Sequence, residues 1–164
     1  MRIEVFDTTK HYKGLKSFDC GNEMINRFVQ KSLKKRISKH LSQAYVLLHG
    51  DRFAGFYTLD TFAIRREEFD PQKRPSGLPP IVPVVKIGML GLSVHLQGKG
   101  IEKRLLRDTF TKIIVISKLA GCAGVFLLAE KEAVTFYESL GFITLKETTP
   151  RPMFLPIETL TDPG

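Results

Sequence analysis

The sequence predicts an α/β fold built around one mixed β-sheet flanked by helices. Strand-like and helix-like segments alternate in the order β, α(α), β, β, β, α, β, α, β, β. Val82 to Val94 is mostly apolar on both faces, as a buried central strand is. Gln97-Gly98-Lys99-Gly100 then breaks that strand immediately before an amphipathic helix.

Each element has its own signal. Arg2-Ile3-Glu4-Val5-Phe6 alternates with period two and reads as a short strand. Asp19 or Asn22 is placed to cap the helical stretch that follows. There Met24, Ile25, Phe28, Val29, Leu33, Ile37 and Leu41 recur at helical spacing, while Arg27, Lys31, Lys34, Lys35, Arg36 and Lys39 take the other face. Tyr45–His49 and Arg52–Ile64, joined at Gly50-Asp51, read as a hairpin. Arg65 to Pro80, with Pro71, Pro75, Pro79 and Pro80, is expected to be an ordered, irregular loop.

After the glycine turn, Ile101, Leu105, Leu106, Ile113, Ile116 and Leu119 predict an amphipathic helix ending near Gly121. Val125–Leu128 is a buried strand. Glu130 to Leu140 reads as a helix with Ala133, Phe136, Tyr137 and Leu140 on one face and Gly141 at C′. Phe142–Leu145 and Met153–Leu155 are the final strands.

Composition narrows the class. The 164 residues, 43% hydrophobic and 26% charged, suit a single folded domain spanning 1–164. No apolar run is long enough to span a bilayer, and no signal-peptide pattern opens the chain, so the expected location is the cytoplasm. Two cysteines, Cys20 and Cys122, are too few for a disulfide framework, and the four histidines lack ligand spacing, so no metal is expected. The net charge of +8 raises the local concentration of polyanions: nucleic acid, an anionic cofactor or a membrane surface.

The glycine turn carries the first chemical signal. A helix N-terminus leaves backbone N–H groups unpaired and bears partial positive charge. Glycines let that backbone approach a phosphate closely, and Lys99 adds a full charge. The P-loop pattern and the full GxGxxG fingerprint are both absent, because Ile101, Glu102 and Lys103 follow Gly100. By itself the turn reads more readily as a turn and cap than as a phosphate site.

His95-Leu96-Gln97-Gly98-Lys99-Gly100, followed by a helix, a short strand and Phe136-Tyr137-Glu138-Ser139-Leu140-Gly141-Phe142, resembles the GNAT acetyltransferases. Their acyl-CoA motif is R/Q-x-x-G-x-G/A, and their later motif is similar to the second stretch. Phe18-Asp19-Cys20-Gly21-Asn22, Tyr45-Val46-Leu47, Gly55-Phe56-Tyr57-Thr58-Leu59 and Met153-Phe154-Leu155-Pro156 are similar to one subgroup, the toxins that acetylate aminoacyl-tRNA.

The resemblance implies the GNAT fold, with a central mixed, mostly antiparallel sheet, and acetyl-CoA as cosubstrate. It implies pyrophosphate binding by Gln97, Gly98, Lys99, Gly100, Ile101 and Glu102, and the acyl arm beside Leu92, Ser93 and Val94 with Phe136. A backbone N–H near Leu92–Val94 would polarise the thioester carbonyl. Tyr137 matches the tyrosine that protonates the leaving thiolate. A homodimer and a ribbon-helix-helix antitoxin are further implications.

The basic residues Lys31, Lys34, Lys35, Arg36 and Lys39, with Arg65 and Arg66 on the loop, are candidate tRNA-phosphate contacts. Lys73 and Arg74, on the same loop, are further candidates for phosphate contact. The plain alternative is a solvated face.

Three positions depart from the subgroup. Met89 replaces a common arginine, Leu127 a frequent aspartate, and Glu102 the small residue after the turn. A carboxylate at Glu102 suits the helix dipole but repels a pyrophosphate if it points inward. A protein or small-molecule amine as acceptor, and a non-catalytic CoA-binding or protein-binding module, remain open on the sequence.

Overall fold

The computed structural model describes residues 1–161. The end of the expected 1–164 domain lies outside the described residues. Seven strands form one mixed sheet: β1 (Arg2–Val5), β2 (Gln43–His49), β3 (Arg52–Arg65), β4 (Ile81–Leu92), β5 (Gly124–Ala129), β6 (Ile143–Thr144) and β7 (Arg151–Pro156), in the order β1-β2-β3-β4-β5-β7-β6. The β4–β5 pair is parallel; β1–β2, β2–β3, β5–β7 and β6–β7 are antiparallel. The helices are α1 (Glu23–Lys31), α2 (Leu33–Ser38), α3 (Ile101–Leu119), α4 (Val134–Ser139) and α5 (Ile157–Thr161). This is the element order expected from periodicity, with α5 added.

The chain packs as two compact units, and β3, β4 and α3 run through both. The first comprises Met1–Asp60 and Gly88–Thr109. Its core holds Phe6, Tyr12, Phe18, Val29, Leu33, Phe53 and Phe56. Phe18 meets Phe53 edge-on at 5.1 Å and Phe56 at 5.9 Å. Asn22 caps α1, its side chain accepting from the Ile25 amide at 3.2 Å. Asp19, the other candidate cap, instead accepts from the Gly21 amide and the Asn26 side chain. Those two donors hold its carboxyl below the ordinary range.

Met24 and Leu41 are exposed, unlike the rest of the expected apolar face. Leu41 lies beyond the end of α2, where His40 takes a left-handed conformation (φ 59°). The Leu41 amide donates to Arg36 O and the His40 amide to Ile37 O, a Schellman closure that turns the chain away.

The second unit comprises Thr61–Ile87 and the chain from Phe110 onward. Ile64, Phe69, Val82, Val84, Phe126, Leu145 and Phe154 form its core. The 65–80 segment is irregular and ordered, as expected. Phe69 is buried edge-on against Phe154 at 5.0 Å, and the Arg66 side chain donates to Leu78 O at 3.0 Å. The α4 helix starts later than expected, after a 3-10 turn over Lys131–Ala133. Val134 is therefore its buried residue, and Phe136 is 41% exposed. Leu119, at the end of α3, is also exposed rather than part of an apolar stripe.

Candidate active site

In the first unit, the end of β4 leads through a 3-10 turn at Val94–Leu96 into the glycine turn and then α3. Gly98 (φ 75°) and Gly100 (φ 84°) are both left-handed, which side chains with a Cβ resist. Open space lies over both glycines, with no atom within 4 Å of a would-be Cβ. The Gln97 side-chain amide donates to Leu92 O and to Cys20 O, each at 2.8 Å. The Val94 amide donates to Asp19 O at 3.0 Å, and the Cys20 amide to the Asn26 side chain at 2.8 Å. The Phe18–Asn22 segment thus fastens the turn to the end of β4. Gly91 admits this packing, since a Cβ there would lie 3.2 Å from both Ile25 and Phe56.

An anion-accepting character is visible in the turn itself. The Gly98 amide donates to a Glu102 carboxylate oxygen at 2.8 Å. Glu102 points inward, onto the turn. A carboxylate seated on a glycine amide shows that this backbone presents donors to negative charge, which fits the expected pyrophosphate.

The three residues expected beside the acyl arm, at the end of β4 and just past it, differ in what they have to offer. The Ser93 amide donates to Ala54 O at 2.8 Å, and the Val94 amide is taken by Asp19. Neither is free to polarise a carbonyl. The Met89 amide faces β3, donating to Thr58 Oγ1 at 2.9 Å. Alternation along the strand turns the Leu90 and Leu92 amides the other way. The described β4–β5 pairing stops at Ile87, although β4 continues to Leu92. Of the three, the Leu92 amide stays a candidate for the expected donor, and the Leu90 amide, on the same side of the strand, is a further candidate that the sequence reading passed over.

In the second unit, Tyr137 sits near the end of α4. The Phe142 amide donates to Tyr137 O at 3.1 Å and the Gly141 amide to Glu138 O at 3.0 Å, a second Schellman motif with Gly141 at φ 102°. The Tyr137 ring meets Phe142 at 5.3 Å and Phe136 at 5.4 Å, both edge-on. Burial raises the phenol above its ordinary pKa, so the group stays protonated. Among the described residues its hydroxyl has no hydrogen-bond partner. A tyrosine kept only for packing usually pairs that group.

The basic residues separate into two kinds. Lys31, Lys34, Lys35, Lys39 and Arg65 are exposed. Lys31, Lys34 and Lys35 edge a groove of about 900 Å³ floored by Phe6, Tyr12 and Val29. Arg36 instead donates to Ser42 Oγ at 3.0 Å and pairs with Asp60 at 4.0 Å. Arg66 fastens its loop through Leu78 O, and its amide donates to Pro80 O. Among the described residues, both carry side-chain contacts within the fold, unlike the other five. Burial raises the thiols of Cys20 and Cys122, which makes them poor nucleophiles. No three His, Cys, Asp or Glu side chains cluster as metal ligands, and no helix is long and apolar enough to cross a membrane, among the described residues.

The chain is 24% identical over 143 residues to a tRNA-acetylating toxin of Mycobacterium tuberculosis, covering 85% of this chain and 83% of that one. It is 28% identical to AtaT complexed with acetyl-methionyl-tRNAfMet, with a TM-score of 0.83 and coverage of 98% and 96%. It is also 28% identical to a tyrosine-to-phenylalanine mutant of AtaT bound to acetyl-CoA and the C-terminus of the antitoxin AtaR (TM-score 0.81, coverage 97% and 94%). The acetyltransferase (GNAT) domain profile matches residues 8–152, through the glycine turn and the tyrosine alike, and the chain belongs to the GNAT acetyltransferase family.

Proposed function

We propose that this acetyltransferase moves the acetyl group of acetyl-CoA to the α-amino group of an aminoacyl-tRNA, acting as a toxin that blocks translation. The observation that carries the cosubstrate is the Gly98 amide holding a carboxylate on an open, left-handed glycine turn. The acceptor rests on the likeness to toxins that act on charged tRNA.

The turn from Gln97 to Glu102 receives the pyrophosphate through backbone N–H groups, with Lys99 beside it and Gln97 bracing it through its side chain. The Leu92 amide polarises the thioester carbonyl, and Phe136 packs on the acyl arm. The neutral amine attacks that carbonyl, a C–N bond forms, and the C–S bond breaks. The thiolate takes the Tyr137 hydroxyl proton, the proton lost by the amine passes to solvent, and solvent returns a proton to the Tyr137 phenolate. An α-amine titrates near about 7.7–8.0, so a useful fraction is neutral without a dedicated base.

Lys31, Lys34, Lys35, Lys39 and Arg65 contact tRNA phosphates, which gives salt-dependent and largely sequence-independent affinity. An antitoxin of the ribbon-helix-helix class is the regulatory partner, the chain pairs as a homodimer, and the setting is the cytoplasm. Incubation with labelled acetyl-CoA and total charged tRNA tests the reading. Label on the aminoacyl group supports it; label only on proteins or small amines replaces the acceptor.

A further inference from the structure

The Glu102 carboxylate occupies the Gly98 amide that a pyrophosphate would use. Both acceptors need the same N–H, and both are negative. They cannot hold it together. The position is the second residue of α3, so the carboxylate also sits in the favourable field of the helix N-terminus. The reach is not that of an ordinary capping box, in which the third helical residue returns to the N-cap amide. Here the second residue returns two positions beyond the N-cap.

Resting on the reading of the turn as the pyrophosphate site, we propose that Glu102 is an intramolecular competitor of acetyl-CoA. Its carboxylate fills the anion position in the free enzyme and swings out when the cosubstrate binds. Apparent affinity is then reduced by the fraction of molecules with the turn open. The consequence is a KM for acetyl-CoA raised by this one side chain, so that activity follows acetyl-CoA supply more closely. Lys99 stays beside the site in either state.

The test pairs calorimetric titration of acetyl-CoA with the amide NMR resonance of Gly98, on wild type, Glu102→Ala and Glu102→Gln. Glu102→Ala is expected to bind acetyl-CoA about three- to tenfold more tightly, with Glu102→Gln between it and wild type. The free Gly98 amide is expected upfield of wild type in Glu102→Ala, and the two proteins are expected to coincide once saturated. Unchanged or weaker binding by Glu102→Ala overturns the proposal. Tighter binding with an unmoved free Gly98 resonance overturns it too, because the gain then comes from elsewhere. If acetyl-CoA binds but leaves Gly98 unshifted in all three proteins, the turn is not the pyrophosphate site and the functional reading falls as well.

Discussion

The amide of Phe142 donates to the carbonyl of Tyr137 at 3.1 Å while their rings meet edge-on at 5.3 Å. A helix C-terminus thereby becomes a mount for a phenol. The Schellman closure fixes the tyrosine backbone, and a buried phenylalanine fixes its ring. The hydroxyl is left with no partner among the described residues.

Tyr137→Phe is expected to reduce kcat by about 10²–10⁴, the usual contribution of a positioned acid. KM for acetyl-CoA should change little. The melting temperature should stay close to wild type, since no hydrogen bond is lost. Steady-state kinetics beside a thermal melt check all three.

Gly141→Ala places a Cβ on a left-handed residue at the centre of that mount. It is expected to cost about 1–2 kcal/mol, a fall in Tm of roughly 2–8 °C. It should also lower kcat although Gly141 touches no substrate, because Tyr137 loses its fixed direction. A melt with normal kcat would separate the mount from the chemistry.

The Tyr57 hydroxyl donates to the Asp108 carboxylate at 2.6 Å, joining β3 to α3 within the first unit. Burial, then the Asp108 hydrogen bond and charge, raises this phenol far above its ordinary value. Tyr57→Phe is expected to destabilise by about 1–3 kcal/mol through the partner's loss of a donor. Denaturant unfolding measures it.

The pH profile follows from directions of shift. Tyr137 and Tyr57 are raised by burial in the folded state, so the stability they confer is complete below the unfolded value near about 10 and is lost only as pH climbs through their higher folded values. Folding stability should therefore fall above about pH 10 on their account, with no loss near neutrality. The rate should rise through about pH 7.7–8.0 as the acceptor amine deprotonates, then hold level through pH 9 while Tyr137 keeps its proton. An early alkaline fall in kcat would contradict the assignment.

The element order, the glycine turn and the tyrosine motif were legible because each is local. Periodicity reports which face is apolar, and a glycine doublet before a helix reports a left-handed turn. The roles of Arg36 and Arg66 were hidden, because their partners Asp60 and Leu78 are brought in by tertiary structure. The same holds for the amides of Ser93 and Val94, which Ala54 and Asp19 consume. Leu41 misled because a histidine, not a glycine, supplies the left-handed residue that ends α2. From the sequence Glu102 suits the helix dipole and repels a pyrophosphate only if it points inward; its inward seat on the Gly98 amide is visible in three dimensions alone.

The most direct measurement is acetyl transfer from labelled acetyl-CoA to total charged tRNA by wild type and Tyr137→Phe side by side. Label on the aminoacyl group with wild type, reduced about 10²–10⁴-fold by the substitution, is the expected result. No label on charged tRNA, or equal labelling by both proteins, would contradict the account.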